Sequence, residues 1–295
     1  MTLYTTRIVP ESRFVTPLRG DTLFGQICWG IVHRYGEKRL TELLSRYDET
    51  PFLVVSDGFA PGHLPKPTLP SALLGESPEE KKTNRKKRWL TPGALTYGEY
   101  TDAHTDRDAG FVEEEVLTLH NSLNYGTFRT GKEIFTPYGA TEREMAAREV
   151  YLLVNEMQTT TEEIGEALRM VSLAGFGKES GIGKGRFSFT PPEKAQLPSE
   201  GRAFMALSPL SLENTQAEET WYEPFTRFGK HGDIRAKKAP FKKPLLLADT
   251  GAVLQFHDDA KRHYAGRALR GVSDAHPDTV HQGYAITVAI PEVRK

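Results

Sequence analysis

SLAGFGKESGIGKGRFSF, residues 172–189, is the stretch on which the reading of the fold turns. Gly175, Gly177, Gly181, Gly183 and Gly185 stand among Lys178, Lys184 and Arg186, and the run then passes into an alternating FSF pattern. Upstream, TTEEIGEALRMVSLAGFG carries helical apolar spacing and opens on Thr160 and Glu163, placed as a capping box. The glycines therefore join a helix to a strand. Nucleotide-binding glycine loops run the other way, from strand to helix, so no nucleotide cofactor is expected. Glycine tolerates positive φ and close backbone approach, and consecutive N–H groups beside cations suit phosphate oxygens. A long solvated turn is the plainer alternative.

Working outward, EVYLLVNEM at 149–157 reads as a buried strand, which gives β, α, β across this half. The N-terminus repeats the unit. LYTTRIV at 3–9 and RFVT at 13–16 read as strand. In DTLFGQICWGIVHRYG the apolar residues recur every three or four positions, with Asp21 as expected N-cap and Gly36 as stop. A second amphipathic segment, KRLTELLSRY, leads to the strand-like PFLVVSDGF. After the polar connection at 191–200, GRAFMALSPL, KKPLLLADTGAVLQF and GYAITVAIP supply strands with little helix. Between about 76 and 116 the chain is charged and poor in apolar periodicity, and is expected to be a mobile insertion.

The 295 residues are 38% hydrophobic, enough for a sizeable core. With 38 Lys+Arg against 39 Asp+Glu the formal charge is -1, so an anionic partner must be met by local clusters. Two stand out besides the glycine loop. KKTNRKKR at 81–88 has six cations, and TRFGKHGDIRAKKAPFKK at 226–243 has seven, interleaved with Phe228 and Phe241. Charge for phosphates and rings for bases suit a single nucleic-acid strand; the alternative for each run is a solvated surface. The lone Cys28 excludes an internal disulfide and fits a reducing, cytoplasmic compartment. No apolar run approaches the roughly 20 residues that span a bilayer, so no membrane is expected.

HNSLNYGTFRT at 120–130 gathers imidazole, amide and guanidinium donors suited to RNA. As an enzyme site it would make His120 a general base with Arg129 stabilising a phosphorane, but no second participant stands nearby in sequence. His257, Asp258, Asp259 and His263 are a weak metal pattern, and no metal is expected.

These residues carry a resemblance. TPLRGDTLFGQICWGI at 16–31, GFGKESGIGKGRFSF at 175–189, HNSLNYGTFRT and the C-terminal pair KKPLLLADTGAVLQF and GYAITVAIP look like the family of Csm-complex subunit 4 proteins. That family belongs to the repeat-associated mysterious proteins (RAMPs) of type III-A CRISPR effectors. The resemblance implies an α+β chain of tandem ferredoxin-like, RRM-type folds: residues 1–198 with the insertion at about 76–116, and a strand-rich 199–295. It implies a non-catalytic subunit without cofactor or metal. Such a subunit holds the 5′ repeat-derived handle of the CRISPR RNA, docks the large polymerase-like subunit 1, touches backbone subunit 3 and lies close to target RNA.

The family's glycine loop falls on Gly175, Gly177, Lys178, Gly181, Gly183, Lys184, Gly185 and Arg186. Its His-Asn loop falls on His120, Asn121, Asn124, Arg129 and Thr130, with Tyr125 where the pattern has a basic residue. Arg19, Arg235, Lys237, Lys238, Lys242 and Lys243 complete the expected RNA contacts. A thumb-like hairpin is expected between Glu76 and Glu115. The rivals are a metal-independent RAMP endoribonuclease that processes CRISPR RNA, with His120 or His33 as base, and a protein-binding scaffold.

Overall fold

The structure is a computed structural model and describes residues 1–131, 135–237 and 239–294. β1 (Thr2–Pro10) is followed by α1 (Gly20–Tyr35), α2 (Glu37–Ser45) and β2 (Leu53–Val55). Leu23, Phe24, Ile27 and Ile31 recur at helical spacing and are all buried, which is why α1 lies along the core. Gly36 stops it as expected, its N–H donating to the Val32 carbonyl. The expected cap is different. The helix starts two residues earlier, with Arg19 at the N-cap position and no side-chain cap, and the Asp21 carboxylate turns inward to accept two hydrogen bonds from Arg227. RFVT makes only an isolated bridge, Phe14 with Arg143.

The insertion is folded. It contains α3 (Lys81–Asn84), β4 (Lys87–Leu90), α4 (Pro92–Tyr97) and β5 (His104–Thr105), and its two strands join β3 (Leu64–Pro65), which precedes it, in a sheet of order β3–β4–β5. Its apolar residues are sparse and unperiodic, yet Trp89, Leu90, Leu95, Tyr100 and Ala103 all reach the main core. That collective burial is what the expectation of a mobile segment missed. The long hairpin follows it: β6 (Glu113–His120) pairs with β7 (Tyr138–Met145) from Glu113↔Met145 to His120↔Tyr138. This hairpin spans 113–145, overlapping the 76–115 range only at its first residues, and its far end carries the HNSLNYGTFRT loop.

β8 (Arg148–Val154), α5 (Thr161–Ala174), β9 (Phe187–Phe189) and β10 (Glu193–Lys194) complete the first unit. Its sheet runs β10–β1–β8–β2, antiparallel throughout, with β9 also on β1. Gly30 lets α1 approach α5 closely: a Cβ there would sit 2.2 Å from the Ala167 carbonyl oxygen. The Thr160 hydroxyl accepts from the Glu163 N–H, but the Glu163 carboxylate goes to Arg39 and Thr159, so only half of the capping box forms.

The second unit holds β11 (Glu200–Ala206), β12 (Glu219–Trp221), β13 (Pro224–Arg227), β14 (Leu245–Ala248), β15 (Val253–Lys261), β16 (Tyr264–Leu269) and β17 (His281–Ile290). Its sheet runs β12–β15–β11–β17–β16, again antiparallel, with β13–β14 as a separate pair. No α-helix follows Ala174 among the described residues, so this half lacks the helices of the ferredoxin-like unit expected for it. The segments between its strands are rich in Gly, Pro and charge, with no apolar face for a helix to bury. The two sheets share one core. Gln282 on β17 accepts from the Val55 N–H and donates to the Val55 carbonyl, both at 2.9 Å, and so fastens one sheet to the other.

Candidate nucleic-acid interface

The glycine loop is built by closing on itself. Gly175 ends α5 at φ 92, and the Phe176 N–H donates to the Gly185 carbonyl at 2.8 Å. The Gly185 N–H donates to Arg13 O, that of Lys178 to Thr16 Oγ1 and that of Arg186 to Ser12 Oγ, each at 2.9 Å. Gly185 sits at φ 70 where a Cβ would lie 2.2 Å from Phe176 O, so only glycine fits. The first of these N–H groups closes the loop on itself, the other three hold it against residues 12–16, and none is offered outward. What faces solvent is the tip, Gly181 and Ile182, with the side chains of Lys178 and Arg186.

Lys184 turns the other way. Its Nζ lies 2.7 Å from both carboxylate oxygens of Glu142 on β7, a side chain with no solvent exposure. The hydrogen bond from Lys184 outweighs burial and holds the Glu142 carboxyl below its usual range. His120, the last residue of β6, places Nε2 at 3.6 Å from Glu142 Oε1 and 3.7 Å from Glu179 Oε2, while its ring stacks on Tyr138. Glu179 belongs to the glycine loop and holds φ at 65. The two sequence motifs thus meet through His120, Glu142, Glu179 and Lys184. Neither glutamate was singled out in the sequence. Glu142 alternates with exposed residues in a charged strand, and only its partners across space distinguish it.

Beyond His120 the loop is a tight turn: Asn124 N–H donates to Arg129 O, Phe128 N–H to Asn124 O, and Gly126 N–H to Asn124 Oδ1. Asn121, Tyr125, Arg129 and Thr130 are exposed, as is Phe128, an aromatic the sequence reading passed over. Leu117 and Leu119 lie exposed on the outer face of the same hairpin.

Other expected RNA contacts sit elsewhere. Arg19 donates to Asp57 at 3.0 Å and to Asp249 at 2.6 Å and lies over the Phe225 ring, clamping the two units together. Burial pushes the Asp57 carboxyl up against the pull of Arg19. Arg235 pairs with Asp278 and Lys243 with Asp274; Lys242 is lowered by burial; Lys237 is exposed. Lys238 lies outside the described residues. Phe228 and Phe241 are exposed, with Lys230 over the Phe241 ring. This segment packs on α1, where His33 Nε2 lies 2.5 Å from Asp233. In the insertion, Arg85, Lys86 and Arg107 line an open cavity of about 470 Å³, while Arg88 pairs with Asp106. His257 pairs with Glu218 and Asp258 with Arg262, so the pattern at 257–263 does not converge on one point.

The geometry defines an α+β chain in which a closed glycine loop and a long hairpin share one ionic junction. No family model matches the chain, and no curated protein matches its sequence. Solved structures do match in fold, over almost the whole length. A chain of the "Csm1-Csm4 cassette in complex with AMPPNP" aligns with TM-score 0.59 and 16% identity, covering 99% of both chains. The same cassette with cA4 gives 0.58 and 18%, covering 98% of this chain and 99% of that one. A chain of the "Csm3-Csm4 subcomplex in the type III-A CRISPR-Cas interference complex" gives 0.60 and 14%, again over 98% and 99%. The resemblance read from the motifs is matched by this likeness in fold. No described helix is long and apolar enough to cross a membrane.

Proposed function

We propose that this chain is the Csm4-type subunit of a type III-A CRISPR effector. In this reading its first sheet is a ferredoxin-like unit, and it holds the 5′ handle of the CRISPR RNA without turning it over. It docks a Csm1-type polymerase-like protein and a Csm3-type backbone protein in the cytoplasm and lies near the target RNA, in antiviral defence. The observation that carries the reading is the full-length likeness in fold to chains of two complexes whose shared component is Csm4. The site agrees with it. Lys178, Arg186, Arg129 and the exposed rings of Tyr125 and Phe128 offer charge for phosphates and faces for unstacked bases.

The test uses the assembled complex. Gly181 is exposed with nothing within 4 Å of an added Cβ, so Gly181→Val leaves the fold intact and blocks only a molecule that approaches from outside. Reduced RNA retention in that variant, and a shallower salt dependence in Lys178→Ala with Arg186→Ala, are expected. Unchanged retention in both removes the loop from the RNA grip.

The endoribonuclease reading gains the second participant it lacked in sequence, since Glu142, Glu179 and Lys184 surround His120. Against it, His120 Nε2 is shut off from solvent and has no line to a ribose hydroxyl.

A further inference from the structure

Three side-chain atoms that no hydrogen bond satisfies meet where the hairpin joins the glycine loop: His120 Nε2, Glu142 Oε1 and Glu179 Oε2, all shut off from solvent. They come from three separate stretches of chain and lie within 4.8 Å of one another. A buried polar atom without a partner is costly, and three aimed at one point need a common occupant. Glu142 is the most deeply buried of the three: its side chain has no exposure at all, and although Lys184 Nζ lies 2.7 Å from both of its oxygens, the hydrogen bond goes to Oε2 and Oε1 is held by charge alone.

The donor set identifies the occupant. An imidazole with two carboxylates suits a borderline divalent ion such as zinc better than magnesium or calcium, which prefer oxygen alone. Zinc ligands at about 2.0–2.2 Å in a tetrahedron stand roughly 3.3 Å apart. The two separations from His120 Nε2, 3.6 and 3.7 Å, need to close by only a few tenths of an ångström, and the two carboxylate oxygens lie within 4.8 Å of each other. The surroundings fit as well: Lys184 stands in the outer position from which a hydrogen bond orients a ligating carboxylate, and Tyr138 stacked on His120 fixes the ring. Besides Lys184, Arg13 stands 3.7 Å from Glu142 and Lys178 3.6 Å from Glu179, both longer contacts from side chains 39% and 65% exposed that can swing out as an ion enters. We propose that His120, Glu142 and Glu179 bind one divalent transition-metal ion of the zinc type, which clasps the glycine loop to the hairpin. Three protein ligands leave a position for water or an anion.

The test takes the full chain, stripped with a chelator, and titrates it with zinc by calorimetry, with elemental analysis for stoichiometry. One zinc per chain is expected, with a rise in Tm, and at least a tenfold weaker affinity in His120→Ala and in Glu179→Gln, which removes a ligand charge while keeping the side chain's size. His104→Ala, which breaks an imidazole pair away from this junction (His63 Nε2 to His104 Nδ1, 3.1 Å), should bind zinc as the unaltered chain does. No zinc uptake, or equal uptake in all variants, overturns the site. RNA is absent from this readout, so its failure and that of the RNA-holding reading are separate.

Discussion

Lys184 of the glycine loop and Glu142 of the hairpin form an ion pair in which the ammonium lies 2.7 Å from both oxygens of a fully buried carboxylate. A cation that sequence alone assigns to RNA is thereby engaged inside the protein. Removing it strands a buried charge, so Lys184→Ala should lower stability by roughly 3 kcal/mol. Lys184→Ala combined with Glu142→Gln should lose less than Lys184→Ala alone, as read by denaturant unfolding. The Glu142 carboxyl is depressed, so its contribution is complete above the ordinary carboxylate range and disappears as pH falls through the lowered value.

Arg227 on β13 grips Asp21 on α1 with two hydrogen bonds of 2.6 and 2.7 Å, and Asp21 has no side-chain exposure. Although burial pushes that carboxyl up, His281 and Arg227 pull it well below the usual range. Arg227→Ala should cost about 3–5 kcal/mol, far more than substitution of the exposed Arg186. Thermal denaturation of both variants makes the comparison.

Gly185→Ala should destabilise by at least about 1–3 kcal/mol, since the residue must keep φ 70 and meet the Phe176 carbonyl. Gly181→Ala should be near neutral. Circular-dichroism melts separate the two glycines of one motif.

His231 is pushed down to about 4 by burial and by nearby Lys242 and His276, from an ordinary 6.5. Between those values the unfolded chain takes up a proton that the folded chain refuses. Stability therefore falls as pH drops from about 6.5 toward 4 and levels off below that. His231→Gln should flatten the slope in denaturation midpoints measured across this window.

Burial pushes the Cys28 thiol up to about 12. The native chain should resist alkylation at neutral pH, whereas the unfolded chain reacts at once. Mass spectrometry after a timed pulse of iodoacetamide reads the difference.

Where local pattern and tertiary packing agree, the sequence was legible: α1, α5, β8 and the glycine run between helix and strand are where periodicity and glycine chemistry place them. Asp21 reads as a cap because its neighbours in sequence favour one, and only the distant Arg227 draws it inward. The insertion reads as mobile because Trp89, Leu95 and Tyr100 have no period, though each finds a place in the core. At the site, His120 and the cations were visible as residue types. Which cations face solvent was not, because the deciding partners, Glu142, Asp57, Asp249 and Asp278, are remote in sequence.

The most direct measurement is ultraviolet crosslinking of the chain to RNA in a complex co-expressed with its neighbouring subunits and a CRISPR array. The account predicts crosslinks from the exposed residues of 178–186 and 121–130 to the 5′ handle, with RNA ends unchanged in His120→Ala. A complex that retains its RNA without crosslinks from either segment, or that carries unprocessed RNA in His120→Ala, contradicts it.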